Sequence, residues 1–138
     1  MAIDNLLSKL DHVRRTNHGR WIAKCPAHDD SRASLSIREL DDGRVLIHDF
    51  AGCSTENVLG AVGLTFSDLM PEVVSECKRK ESRPFSAADA LRCVSFEVML
   101  VATYANKMAG GQKLGVTDKE RLLLASSRIR GALQGAGL

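Results

Sequence analysis

Hydrophobic and polar positions change their period twice along the chain. Ile3, Leu6, Leu7 and Leu10 recur at helical spacing and predict a short helix over 3–10. The period then drops to two. Val13 and the run Trp21–Ala23 flank the turn signal Asn17-His18-Gly19, which predicts a β-hairpin. Leu35, Ile37 and Leu40 alternate with polar residues, "DDGR" turns the chain at Asp42-Gly43, and "RVLIHDF" returns as a second hairpin. In the returning arm Val45, Ile47 and Asp49 share one side, and Leu46, His48 and Phe50 share the other. "STENVLGAVGL" restores helical spacing, with Ser54 or Thr55 as cap and Val58, Leu59 and Val62 on one face. "TFSDLMPE" makes another short turn that stops near Pro71.

The polar, charged stretch "SECKRKESRPF", residues 75–85, interrupts both periods and reads as a linker. Beyond it the pattern is wholly helical. Leu91, Val94, Val98, Val101 and Met108 line one helix, with Ser86 and Asp89 resembling a capping box. Gly110, Gly111 and Gly115 break it, and Thr117 with Glu120 forms a second capping box ahead of Leu122, Leu123, Ile129 and Leu133. The expected architecture is α+β. A small antiparallel sheet with flanking helices fills residues 1–74, a linker follows over 75–85, and an αα-hairpin occupies 86–138. No internal repeat or low-complexity tract breaks this plan.

Composition narrows the options. The 138 residues carry a formal net charge of +2, too small to argue for nucleic acid by itself. The N-terminal pattern is amphipathic without a secretory core, and no apolar run approaches a membrane span. The expectation is a reducing, cytoplasmic compartment, where close cysteine–histidine spacing reads as metal before disulfide.

"KCPAHDD" carries Cys25 and His28, a C-x2-H pair on one loop. "VLIHDFAGCS" carries His48, Asp49 and Cys53 at the bend after a predicted strand. A tetrahedral zinc ion needs about four such donors, and zinc ribbons bring two ligand loops together in this way. Cys25, His28 and Cys53 supply three; His48 or Asp49 supplies the fourth, His48 being the commoner ligand type. Cys77 and Cys93 stand in unclustered contexts and read as small hydrophobes.

The run "W-x-A-x-CPAHDDSRASLSI … DGRVLIHDFAGCS … ENVLGAVGLTFSDLMPE" resembles the zinc-binding domain of bacterial and phage DNA primases. More narrowly, it looks like the short primase-type zinc-finger proteins of phages, plasmids and integrated elements. The resemblance covers roughly residues 20–72. It implies a zinc-ribbon fold and a ligand set of Cys25, His28, the residue at 49, and Cys53. Position 49 departs from the family pattern, because Asp49 stands where a cysteine is usual. His48 matches a histidine that is usually not a ligand, so the resemblance favours Asp49.

The resemblance also implies a role in holding single-stranded template. Arg14, Arg15, Arg20, Lys24, Arg32, Arg38 and Arg44 lie on or beside the predicted strands, with Trp21 as a stacking face. Burial competes for Trp21 and for Phe50, and the core is the favoured place for both. Catalysis is not expected. The five acids after residue 80 form no Glu and Asp-x-Asp set, and "AGGQKLG" lacks the G-K-[ST] of a phosphate-gripping loop. The leading expectation is therefore a non-catalytic zinc ribbon that binds single-stranded DNA, accessory to a separately encoded primase or helicase. The alternative is a protein-interaction or regulatory factor that works, or oligomerises, through its helical hairpin. An enzyme with an open catalytic zinc, held by Cys25, His28 and Cys53, is the weakest of the three.

Overall fold

A computed structural model of the chain describes residues 1–71 and 85–138. Cys77 and all of the expected linker except Phe85 lie outside them. Helix α1 spans Ala2–Leu7. Four strands follow: β1 Arg14–Asn17, β2 Arg20–Ala23, β3 Leu35–Glu39 and β4 Val45–Asp49. They form one antiparallel sheet in the order β1-β2-β3-β4. Helix α2, Thr55–Ala61, and a 3-10 turn, Phe66–Leu69, follow the sheet. Helices α3, Ala87–Ala109, and α4, Val116–Gly135, pack as a hairpin. The fold is α+β. Among the described residues no helix is long and apolar enough to cross a membrane.

Strand pairing explains the layers. Ile37 stands opposite both Trp21 and Ile47, and Leu35 opposite both Ala23 and Asp49. Alternation therefore gives one sheet face Ala23, Leu35, Ile37, Val45 and Ile47, which close on Ile3, Leu6, Val58 and Leu59. Trp21 is half-buried at the edge of this core. The other face presents Leu46 and His48. There Leu46 and Phe50 meet Phe85, Ala90, Val94, Ala132 and Ala136 from the helical hairpin. The sheet thus separates two cores, and its second face is covered by α3 and α4.

Three local details differ from expectation. Helix α1 ends at Leu7, because Lys9 and Leu10 donate to the carbonyls of Leu6 and Leu7 and tighten the last turn. Leu10 still reaches the core. Helix α4 opens at Val116 with Gly115 as N-cap and no side-chain cap, so Thr117 falls inside the first turn and makes no capping box. At α3 the Ser86 hydroxyl accepts from the Asp89 N–H at 3.1 Å. The Asp89 carboxylate does not close the box. It accepts instead from Thr16 Oγ1 and Arg92 Nη1, at 2.9 Å each, and so ties α3 to β1.

Candidate metal centre

Cys25 lies two residues past the end of β2, and its N–H donates to Asp30 Oδ2 at 2.8 Å. Asp30 organises the whole first loop. It also accepts from the Arg32 N–H at 3.3 Å and the Ser34 hydroxyl at 2.7 Å. The second loop is organised by Asp49, the last residue of β4, which is buried. Its Oδ1 accepts from the Ala51 N–H at 3.2 Å and its Oδ2 from the Cys53 N–H at 3.0 Å. Gly52, at φ +104°, supplies the left-handed residue of this bend. The chain then enters α2 through Ser54, whose side chain accepts from the Asn57 N–H.

The Ser34 hydroxyl lies 2.7 Å from Asp49 Oδ1 as well as 2.7 Å from Asp30. A hydroxyl has one hydrogen, so the carboxylates of the two loops share it.

These loops bring four donor atoms together. One atom each from Cys25, His28, Asp49 and Cys53 lies within 4.8 Å of the others. His28 Nδ1 is 3.2 Å from Cys53 Sγ and 3.8 Å from Asp49 Oδ2. Zinc bonds of ~2.0–2.3 Å in a tetrahedron place ligand atoms about 3.3–3.8 Å apart. The widest spacing in the group has to close by about 1 Å to match that geometry. The donor set fits a divalent ion: two sulfurs, an imidazole nitrogen and a carboxylate oxygen. On the far side of the ring His28 Nε2 faces Asp30 Oδ1 at 3.6 Å. That is the place of an outer carboxylate that orients a ligating histidine.

Without a cation, the surroundings of the two thiols disfavour thiolate. Burial, with Asp49 and Cys53 adding to it, pushes the Cys25 thiol up to about 12. Burial and the Asp49 carboxylate raise Cys53 as well. Both thiols are held protonated by their own surroundings. A divalent cation reverses that balance and takes them as thiolates, releasing protons.

His48 is not part of the group. It projects to the opposite sheet face, with its ring 4.5 Å from Phe50 and 5.5 Å from Phe85. Burial lowers its pKa. The structure thus brings Asp49, and not His48, to Cys25, His28 and Cys53.

The basic residues singled out in the sequence do not share one surface. Arg15 and Trp21 are cross-strand partners, with the guanidinium 6.0 Å from the indole. Arg14 and Arg20 belong to the alternate side of their strands, where Arg20 pairs in register with Arg38. Arg44 is tied to Asp42 at 2.8 Å. Lys24 is half-buried beside Cys25. Arg32 lies over Phe96 of α3 at 3.7 Å. Phe50 is buried, as its apolar character favours.

Two features escaped the sequence reading. Asp30 carried a signal, since an acid two residues past His28 lies within reach of the same loop. Glu97 carried another, since an acid inside the apolar run "VSFEVMLV" needs a partner. It is buried against Arg121 and Arg128, each at 2.8 Å. Cys93, in α3, is half-buried against the second core, and burial pushes its thiol up to about 12.

Comparison of the chain with protein-family models, with curated proteins and with solved structures found no match.

Proposed function

We propose that the chain is a zinc ribbon that holds single-stranded nucleic acid, without chemistry of its own. In this reading it serves a separately encoded primase or helicase of a phage or mobile element. The observation that carries the reading is the convergence of Cys25, His28, Asp49 and Cys53 at one end of an antiparallel sheet. Zinc is the ion that this mixture of thiol, imidazole and carboxylate suits best. Its role is to staple two loops that a sheet this small holds poorly alone. The resemblance to primase zinc-binding domains supplies the class of ligand. On the edge strand β1, Arg14 and Arg15 are exposed on opposite sides, and Trp21 stands next to Arg15. Cations beside an aromatic face suit a single strand.

The test is fluorescence anisotropy with labelled oligo(dT), using zinc-loaded and chelated protein and an Arg14→Ala/Arg15→Ala variant. The expected result is salt-dependent binding that the chelator abolishes. Loss of two phosphate contacts should lower the log–log salt slope by about 1.4. A folded, zinc-loaded chain that binds no single strand at low salt would overturn the reading.

A second reading has its own observation. Among the described residues, ten of the thirteen exposed large hydrophobics lie in 86–138, Leu91, Met99, Val116 and Leu123 among them. Such a surface suits a protein partner or a second copy. Light scattering of the zinc-loaded chain across a concentration series tests for the second copy.

A further inference from the structure

Where the first ligand loop meets the helical hairpin there is a cavity of about 140 Å³. The loop from His28 to Ser34 forms one wall, and the inner faces of α3 and α4 form the other. Three guanidinium groups come to it from three parts of the chain. That of Arg32 lies 3.7 Å from the centroid of the Phe96 ring, and that of Arg121 lies 5.7 Å from it. Arg121 and Arg128 both reach Glu97. One carboxylate therefore serves two guanidinium groups, while Arg32 rests on a ring and has no carboxylate partner among the described residues.

The pairing is also incomplete in its hydrogen bonds. Arg121 Nη1 and Arg128 Nε are closed off from solvent and donate to nothing among the described residues. Glu97 Oε2 faces Arg121 as an ion pair without hydrogen-bond alignment. Buried charged donors without an acceptor are costly, so an acceptor that reached Arg121 Nη1 or Arg128 Nε would be favoured.

Two acids line the cavity as well, and their placement decides the balance. Asp30 is engaged by the Cys25 and Arg32 N–H groups and by Ser34. Asp29 is exposed at the rim, where water and salt screen it. Arg121 and Arg128 are half-buried, and Arg32 is exposed at the rim over Phe96.

We propose that this cavity is a seat for a phosphate group, held by Arg32, Arg121 and Arg128 beside Phe96. Arginine's planar fork matches a tetrahedral oxyanion in geometry as well as charge. The cavity lies well below the ~300 Å³ at which pockets for whole small molecules begin, so it suits one phosphate group and not a nucleotide. A bound phosphate would join the loop that carries His28 to the helical hairpin. The proposal does not require the ribbon to bind a strand, because inorganic phosphate alone tests it.

The experiment uses the full, metal-loaded chain. Its thermal midpoint is followed against inorganic phosphate and against chloride at equal ionic strength, and phosphate affinity is measured by calorimetry. Phosphate should raise the midpoint beyond chloride. Arg32→Gln should weaken phosphate affinity about tenfold. Arg121→Lys keeps the charge beside Glu97 but loses the fork, and should also weaken it. Asp29→Asn should strengthen it. Oligo(dT) with and without a 5′-phosphate then separates the two sources. A preference for the phosphorylated form that Arg32→Gln removes marks a terminal phosphate. Equal binding of both forms, weakened by the same substitution, marks a backbone phosphate. A phosphate effect no larger than that of chloride, or an affinity unchanged by Arg32→Gln, would overturn the proposal.

Discussion

Replacing Gly135 by alanine should loosen the hairpin from the sheet, whereas replacing Gly131 should strengthen the molecule. Both glycines lie in α4. A Cβ on Gly131 meets nothing within 4 Å. Alanine there brings only its helix propensity, a gain of about 0.5–1 kcal/mol over glycine. A Cβ on Gly135 would lie 2.9 Å from Cε1 and 3.4 Å from Cζ of Phe50. The ring has nowhere to swing. Phe50 is 4% exposed, and its ring is wedged edge-on between His48 at 4.5 Å and Phe85 at 6.1 Å. Overpacking of this kind costs about 1–3 kcal/mol. Gly135 ends its helix, so the propensity gain there is smaller and the net loss is about 0.5–2.5 kcal/mol. Equilibrium urea unfolding measures both, read by circular dichroism and by the fluorescence of Trp21, the chain's one tryptophan. Opposite shifts of the two midpoints are expected. Equal stabilisation of both variants would refute the seating of α4 over Phe50.

Other expectations concern the metal centre and Glu97 with its two arginines. Asp49→Ala should reduce bound metal well below one ion per chain and His48→Ala should not; elemental mass spectrometry of both reads this, and full retention by Asp49→Ala removes that residue from the ligand set. Asp30→Asn should weaken metal affinity about 10–100-fold in a chelator competition, as loss of an outer partner does, and an unchanged affinity would leave Asp30 no part in orienting His28. Burial works to raise the Glu97 pKa, but the paired guanidinium groups of Arg121 and Arg128 outweigh it and hold the group below its ordinary 4.5. Its stabilising contribution is therefore complete above about pH 4.5 and is lost as pH falls through the lower folded value. Glu97→Gln should flatten that acid limb of stability, and a limb of the same steepness would assign it to other carboxylates.

How much of this was legible in the sequence depends on the range of the interactions. Both hairpins could be read because their turns are local: Gly19 and Gly43 take positive φ where the Asn-His-Gly and Asp-Gly signals stood. The fourth donor was half legible. Strand alternation put His48 and Asp49 on opposite sides, but only the structure shows which side faces Cys25. The Thr117 capping box misled, because a motif cannot say that Gly115 has already opened the helix two residues earlier. The covering of the second sheet face was not legible. Phe50 and Phe85 are 35 residues apart in sequence, and nothing local to either announces the other. The bonds from Thr16 to Asp89 and from Glu97 to Arg128 are of the same long-range kind.

Strand β1 ends the sheet, and among the described residues it pairs on one side only, with β2. An open strand edge is a template on which another chain can add itself. This one is four residues long, its register slips between Arg15 and Asn17, and both Arg14 and Arg15 are exposed. Shortness, an irregular register and clustered positive charge are the means by which natural sheets discourage edge-to-edge growth. Two copies meeting edge to edge would bring two arginine pairs together at strand spacing, and like charges across a ladder repel. The residues assigned to a nucleic-acid strand therefore have a second consequence, for solubility. A chain that exchanged Arg14 and Arg15 for threonine or valine would gain β-propensity at this edge and lose its guard against fibrous self-association.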